Sequence, residues 1–228
     1  MGAMKGSYEQ FCDQLPDVLQ RFEKLRQVTG QDGRIFIRGE IDIVDKAGRY
    51  WESYEVEIHH ADGFPFKFPD VYEVGGKIPR IADWHIYEDS LTCCITVLPQ
   101  EMIKCRNGIT IVGFIENEML PYFFNQTHRR EEGYYVNGEY SHGYLGMLEF
   151  FETELKTIGD VRATIKMLFK IATIQKPDRT HNCFCGKKTK YRKCHRDAYE
   201  KLLLLGKNQL VRFATYIAQS SGNPDLTR

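Results

Sequence analysis

The chain has 228 residues, room for one large or two unequal domains, and its 42% apolar and 27% charged residues are those of an ordinary globular protein. Its 31 basic and 31 acidic residues cancel, which excludes a whole-chain electrostatic drive toward nucleic acid or anionic lipid. No apolar run approaches the roughly 20 residues that cross a bilayer, and no basic-then-apolar leader is visible, so a cytoplasmic protein without a membrane partner is expected.

Met1-Gly2-Ala3 ahead of Met4 reads as a cloning remnant. Phe11, Leu15, Val18, Leu19, Phe22 and Leu25 then recur at helical spacing, which predicts an amphipathic helix over Tyr8 to Leu25 with an irregularity at Pro16. After the breaks at Gly30 and Gly33, Ile35, Ile37, Ile41 and Ile43 alternate with polar residues and predict a strand with one wet face. Ala47-Gly48 predicts a turn. Tyr54, Val56 and Ile58 predict a second strand, and residues 70–74 a third that stops at Gly75-Gly76. Between the last two strands lies Gly63-Phe-Pro-Phe-Lys-Phe-Pro69. Its two prolines bar a helix interior or a central strand, so a rigid extended crossing is expected.

Residues 79–100 lack periodicity and are expected to form an ordered loop carrying Cys93 and Cys94. A helix is predicted from Thr110 through Phe123, bent or ended by Pro121, followed by a Tyr-, Gly- and His-rich loop up to Gly143. Helices are predicted at about 145–155, 160–174 and 197–218, with a boundary at Lys176-Pro177-Asp178 and a frayed end after Ser220. Order and spacing thus give an α+β fold, with domains expected at 4–175 and 176–228.

The seven cysteines are not arranged as a secreted framework. Cys12 and Cys105 stand alone, Cys93 and Cys94 are adjacent, and Cys183, Cys185 and Cys194 cluster, a pattern that suits a reducing compartment and cysteines used for chemistry and metal binding. Adjacent cysteines are poorly placed to pair with one another. The paired thiols are either small core residues or a loop nucleophile, for which a thiolate would have to be stabilised below the ordinary thiol pKa of about 8.5.

In order and spacing, the helix, meander, proline crossing, cysteine loop and following helix over roughly residues 5–125 resemble the ubiquitin-conjugating enzyme family. Tyr54-Glu-Val-Glu-Ile58 falls on the strand before the crossing, Phe64-Pro-Phe-Lys-Phe-Pro69 on the crossing, and Gly108-Ile-Thr-Ile111 on the start of the helix after the cysteine. The resemblance implies a fold with an N-terminal helix, an antiparallel meander sheet and C-terminal helices. It also implies a cysteine that carries a protein's C-terminal carboxyl as a thioester. Aligning Thr92-Cys93-Cys94-Ile95 with the family's pattern puts Cys94 at the nucleophile, with Cys93 as the alternative, and His85 at the family's structural histidine. The family's asparagine two residues after that histidine is Tyr87 here. Losing such an oxyanion donor costs about 2.7–4 kcal/mol in barrier, so a thioester that persists rather than passing quickly to lysine is expected, unless Tyr87, Asn125, Asn137 or His142 substitutes.

The stretch from Gln126 to Gly143 departs from the family's common pattern and reads as an aromatic-pinned loop or as a lid beside the cysteine. The whole arrangement resembles a bacterial branch of the family found with cyclic-oligonucleotide antiphage signalling operons. That implies, as partner, a nucleotidyltransferase or ubiquitin-like protein offering its C-terminus, with an activating enzyme alongside.

Near the C-terminus, Cys183-Phe-Cys185 and Cys194-His195 supply four soft or imidazole donors, the ligand set of a closed structural zinc site, with His181 as an alternative ligand. The spacing resembles the zinc motif at the C-terminus of the SecA translocase, called SEC-C. Lys187, Lys188, Lys190, Arg192 and Lys193 make a basic patch that suits an acidic partner or plain solvation, and the neutral whole argues against nucleic acid. Two other readings remain at this stage: a non-catalytic adaptor of the same fold, and a zinc-dependent nucleic-acid binder.

Overall fold

The computed structural model describes residues 5–136 and 138–222; residues 1–4, with the Met1-Gly2-Ala3 read as a cloning remnant, Asn137 and residues 223–228 lie outside the described residues. The chain divides into two compact units, the first containing residues up to Thr96 together with Lys104–Glu139, the second Val97–Ile103 and the chain from Tyr140.

The first unit is an α+β assembly. Two short helices, α1 (Ser7–Asp13) and α2 (Leu15–Arg21), replace the single predicted helix. Pro16 sits in the first turn of α2, where its missing N–H leaves no bond unmade, so it starts a helix instead of disturbing one. Four strands follow: β1 (Leu25–Thr29), β2 (Ile35–Val44), β3 (Tyr50–His59) and β4 (Asp70–Glu73). They form an antiparallel meander in the order β1-β2-β3-β4. The register puts Ile37 opposite Ile58, and Ile58 opposite Val71, so one row of buried apolar side chains crosses three strands. Arg38, on the other face, bonds Glu55 and Glu57. The predicted three-strand meander therefore lacked its first strand. β1 buries only Leu25 fully and has no alternation to betray it. Its trace in the sequence is Gly39, in mid-strand with φ 155°, where a Cβ would come within 2.1 Å of the Lys24 carbonyl.

Phe11, Leu15 and Val18 from the helices and Phe64 and Phe68 from the crossing join the buried face of the sheet in one core. Each such side chain contributes roughly 1.5–3 kcal/mol by leaving water. The crossing is fixed at its cis Phe64–Pro65 bond and by the Ile109 N–H, which donates to the Pro65 carbonyl at 2.8 Å.

Helix α4 (Ile111–Phe114) is capped by the Thr110 hydroxyl, which accepts from the Gly113 N–H. It runs into a π turn (Ile115–Met119) and then α5 (Leu120–Glu132). Pro121 neither ends nor breaks this run. The π turn widens the backbone so that the Leu120 N–H reaches the Ile115 carbonyl, and Pro121 falls in the first turn of α5, where no N–H is required. Residues 126–132, expected in a loop, are thus helical, with Gln126, Thr127 and His128 buried.

The second unit is helical: α3 (Leu98–Lys104, whose last residue falls in the first unit), α6 (Gly143–Leu155), α7 (Val161–Thr173), α8 (Arg196–Leu203) and α9 (Lys207–Ser220). The helix expected over 197–218 is two helices, parted at Gly206, whose φ of 85° suits glycine. The boundary expected at 175/176 lies near 139/140, because Phe150, Phe151, Leu155, Ile165, Leu168 and Ile171 share a core with Tyr191, Tyr199, Leu202, Leu210, Phe213 and Ile217. A segment from 176 onward lacks that core by itself. Among the described residues, no helix is long and apolar enough to cross a membrane.

Candidate functional site

Two clusters of chemically capable side chains stand out, one in each unit. The first begins at the end of β4. A short 3-10 turn (Ala82–Trp84) leads into His85, whose φ of 52° and ψ of 42° are left-handed. That conformation is uncommon for a residue with a Cβ and holds where the surroundings over-determine it. Here the His85 N–H donates to the Ala82 carbonyl at 2.8 Å, and the His85 carbonyl accepts from the Cys94 N–H at 2.7 Å and from the Tyr122 hydroxyl at 3.0 Å. Ile86 and Cys93 pair as a single antiparallel bridge, and the Cys93 N–H donates to the Val71 carbonyl at 2.8 Å. The cysteine loop is thereby stitched to β4.

Successive side chains of extended backbone point opposite ways, and this separates the two thiols. Cys93 turns inward and is 8% exposed. Burial pushes its thiol up to about 12, against the opposing hydrogen bonds of the Tyr122 hydroxyl and the Glu73 backbone. A thiol so held stays protonated and unreactive at neutral pH. Cys94 is half-buried. A ring nitrogen of His85 lies within 4.8 Å of the Cys94 sulfur. His85 Nε2 in turn meets Glu139 Oε2 at 2.8 Å.

Glu139 belongs to the segment read as a loop or lid, and that segment is anchored by Tyr135. The Tyr135 ring stands edge-on to His85 at 5.2 Å, and its hydroxyl accepts from Arg129 at 2.8 Å. Burial raises the Tyr135 hydroxyl, and Arg129 opposes that rise. Of the donors considered for the absent asparagine, Tyr87 is largely exposed, Asn125 directs its amide to the Gly138 carbonyl at 3.4 Å, and His142 belongs to the second unit. Asn137 lies outside the described residues. Glu139 was not foreseen: it lies 54 residues from His85, and nothing local in the sequence links the two.

The second cluster brings together Cys183, Cys185, Cys194 and His195, all of whose donor atoms lie within 4.8 Å of one another, and it can hold a metal ion. His181 is not in the group. Cys185 and Cys194 are 3.8 Å apart between sulfurs, and His195 Nδ1 is 3.3 Å from the Cys183 sulfur and 3.2 Å from that of Cys194. Sulfurs at about 2.3 Å from a tetrahedral ion would stand about 3.8 Å apart. His195 Nε2 donates to the Leu155 carbonyl at 2.7 Å, which leaves Nδ1 as the coordinating nitrogen and fixes the ring. Burial keeps the His195 imidazole neutral, as a ligand must be. Without a cation the three sulfurs cannot all be anionic. Burial, together with the hydrogen bonds that the Cys194 thiol donates toward the Cys183 and Cys185 sulfurs, pushes Cys194 up to about 12, while Cys185, in spite of its burial, is lowered by the Lys187 backbone N–H and by accepting from the neighbouring thiols. The Asn182–Lys190 bridge and the turn at Gly186 bring the donors together. No family model, curated protein or solved structure matches the chain.

Proposed function

We propose that the first unit is a ubiquitin-conjugating-like acyl carrier. Cys94 accepts the C-terminal carboxyl of a protein partner as a thioester, the partner being a nucleotidyltransferase or ubiquitin-like protein in bacterial antiphage defence. The observation that carries the reading is the contrast within the thiol pair. In the loop that follows β4, one cysteine is locked inward with its thiol up to about 12, and its neighbour is half-buried near an imidazole. The meander, the crossing and the capped helix after the cysteine stand in the order such a carrier needs. His85 keeps the structural part given to it by the resemblance, since its carbonyl holds the Cys94 backbone.

In the second unit, Cys183, Cys185, Cys194 and His195 hold a structural zinc ion. Four closed donors leave no open position for a substrate, and the ion's part is to fix the segment between α7 and α8. The exposed basic patch next to it suits an acidic protein surface.

Co-expression with a cyclic-nucleotide-forming nucleotidyltransferase, followed by a non-reducing gel, tests the carrier reading. A reductant-sensitive adduct is expected in the wild type and in Cys93→Ala, and none in Cys94→Ala. An adduct that survives Cys94→Ala but not Cys93→Ala would sink it. Retention of the partner after both substitutions, with no adduct in the wild type, would replace it with a non-covalent adaptor.

A further inference from the structure

We propose that the cysteine–histidine cluster of the second unit is a redox switch, in which a peroxide joins Cys185 to Cys194 as a disulfide and the metal ion is released. The inference rests on the reading of Cys183, Cys185, Cys194 and His195 as a zinc site and adds how that site is regulated.

The geometry singles out one pair among the three cysteines. The Cys185 and Cys194 sulfurs stand 3.8 Å apart, and a disulfide needs about 2.0 Å, so the two side chains have only a short approach to make. Both residues are partly exposed, within reach of a dissolved oxidant. Cys183 is 4% exposed and belongs to the helical core, and its N–H donates to the Thr189 carbonyl at 2.9 Å. His195 is buried as well and is tied through Nε2 to the Leu155 carbonyl. Half of the donor set is thus anchored in the core, and the other half is open to solvent. A closed tetrahedral site needs four donors, so capture of the open pair in a disulfide leaves two, which do not hold the ion.

The local chain and its charges favour the same pair. Eight residues separate Cys185 from Cys194. The left-handed Gly186, with φ 88°, and the Asn182–Lys190 bridge fold that span back on itself, so the two sulfurs meet. Lys187, Lys188, Lys190, Arg192 and Lys193 lie in or beside the span and are exposed. Among the described residues, the acidic Glu200 pairs with Lys176 and Arg196 instead of with these five cations. An electropositive, partly exposed setting is the one in which cysteines oxidise. Metal ligation also deprotonates a sulfur outright, so the thiolates are present without any change of pH.

In the step, one of the two exposed thiolates attacks a peroxide oxygen. The O–O bond breaks, a sulfenic acid forms and hydroxide leaves. The second thiolate attacks that sulfur, the S–S bond forms, the S–O bond breaks and a second hydroxide leaves. Two thiolates and one hydrogen peroxide give one disulfide and two hydroxides. The sulfurs lose two electrons and the peroxide gains them, while the ion departs as a divalent cation. A dithiol reductant reverses the change. The basic turn is what the switch acts on, because the ion fixes the segment that carries it.

The test uses the full chain, loaded with zinc and freed of reductant, and exposed to an excess of hydrogen peroxide. A chromogenic chelator reads released zinc, and tryptic digestion without reduction maps the crosslink. Loss of the bound zinc is expected, together with a disulfide joining peptide 180–187 to peptide 194–196, which fragmentation places on Cys185 and Cys194. Dithiothreitol followed by added zinc should restore the metal content. Zinc retained under peroxide that oxidises free glutathione would overturn the switch, and so would zinc loss with a crosslink through Cys183 or with no crosslink. The two readings fail distinguishably: a chain that holds zinc and resists peroxide removes the switch and keeps the metal site, whereas a chain that takes up no zinc removes both.

Discussion

Adjacent cysteines share a backbone but not an environment. Cys93 is bonded to the Val71 carbonyl through its N–H and faces Tyr122, so it behaves as a core residue. Cys93→Ala should cost about 1 kcal/mol of stability, the scale of a small buried truncation, and Cys94→Ala close to nothing; chemical denaturation of the two variants checks the difference. Glu52 gives a second residue-scale outcome. It is 19% exposed and bonds Lys77 at 2.8 Å and Arg130. Burial alone would raise its carboxyl, but Lys77, the Ser53 N–H and Arg130 outweigh that and lower it to about 2. A folded-state value below the unfolded one contributes stability above the unfolded pKa of about 4.3, and that contribution is lost as pH falls toward about 2. Melting temperatures of the wild type and Glu52→Gln should therefore differ most near pH 6 and converge near pH 2. A constant gap would contradict this. The distinction between the thiols was only partly legible in the sequence: alignment pointed to Cys94, but which side chain turns inward depends on the Ile86–Cys93 bridge. Glu139 was not legible at all, because a chain folding back over 54 residues leaves no local pattern.

At the scale of elements, periodic burial was readable and irregular devices were not. β2, β3 and β4 alternate because one face is wet, and the pattern survives in the sequence. β1 sits at the sheet edge with a single fully buried residue, so it has no period to read. Pro121 signals a break only if the preceding helix keeps its ordinary pitch, and the π turn removes that condition. The metal donors were legible because all four lie between 183 and 195 and the backbone turns within that span. Their consequence reaches further, since His195 ties the cluster to the last carbonyl of α6. Zinc removal by a strong chelator should speed amide exchange in residues 183–203 and at the Leu155 end of α6, because without the ion the sulfurs crowd without compensation. Unchanged exchange after verified metal loss would contradict a structural role for the ion. At Gly39, alanine would meet the Lys24 carbonyl, so Gly39→Ala should displace β1 and destabilise the first unit by about 2 kcal/mol or more, measured by denaturation.

At the scale of the molecule, two cores divide the work. One is built on a meander sheet and carries the thiol, imidazole and carboxylate. The other is helical and carries four metal donors. The division at 139/140 was hidden because the helices on either side read alike in the sequence. Only the contacts of α6 and α7 with Tyr191, Tyr199 and Phe213 assign them. The carrier reading lives in the first unit and meets its most direct test in the tryptic peptide 81–104, which holds both Cys93 and Cys94. After co-expression with the nucleotidyltransferase, non-reducing digestion and fragmentation of that peptide should place a hydroxylamine-labile acyl group, the partner's C-terminal residues, on Cys94. An unmodified peptide from a chain that has bound its partner, or an acyl group on Cys93, would contradict the account.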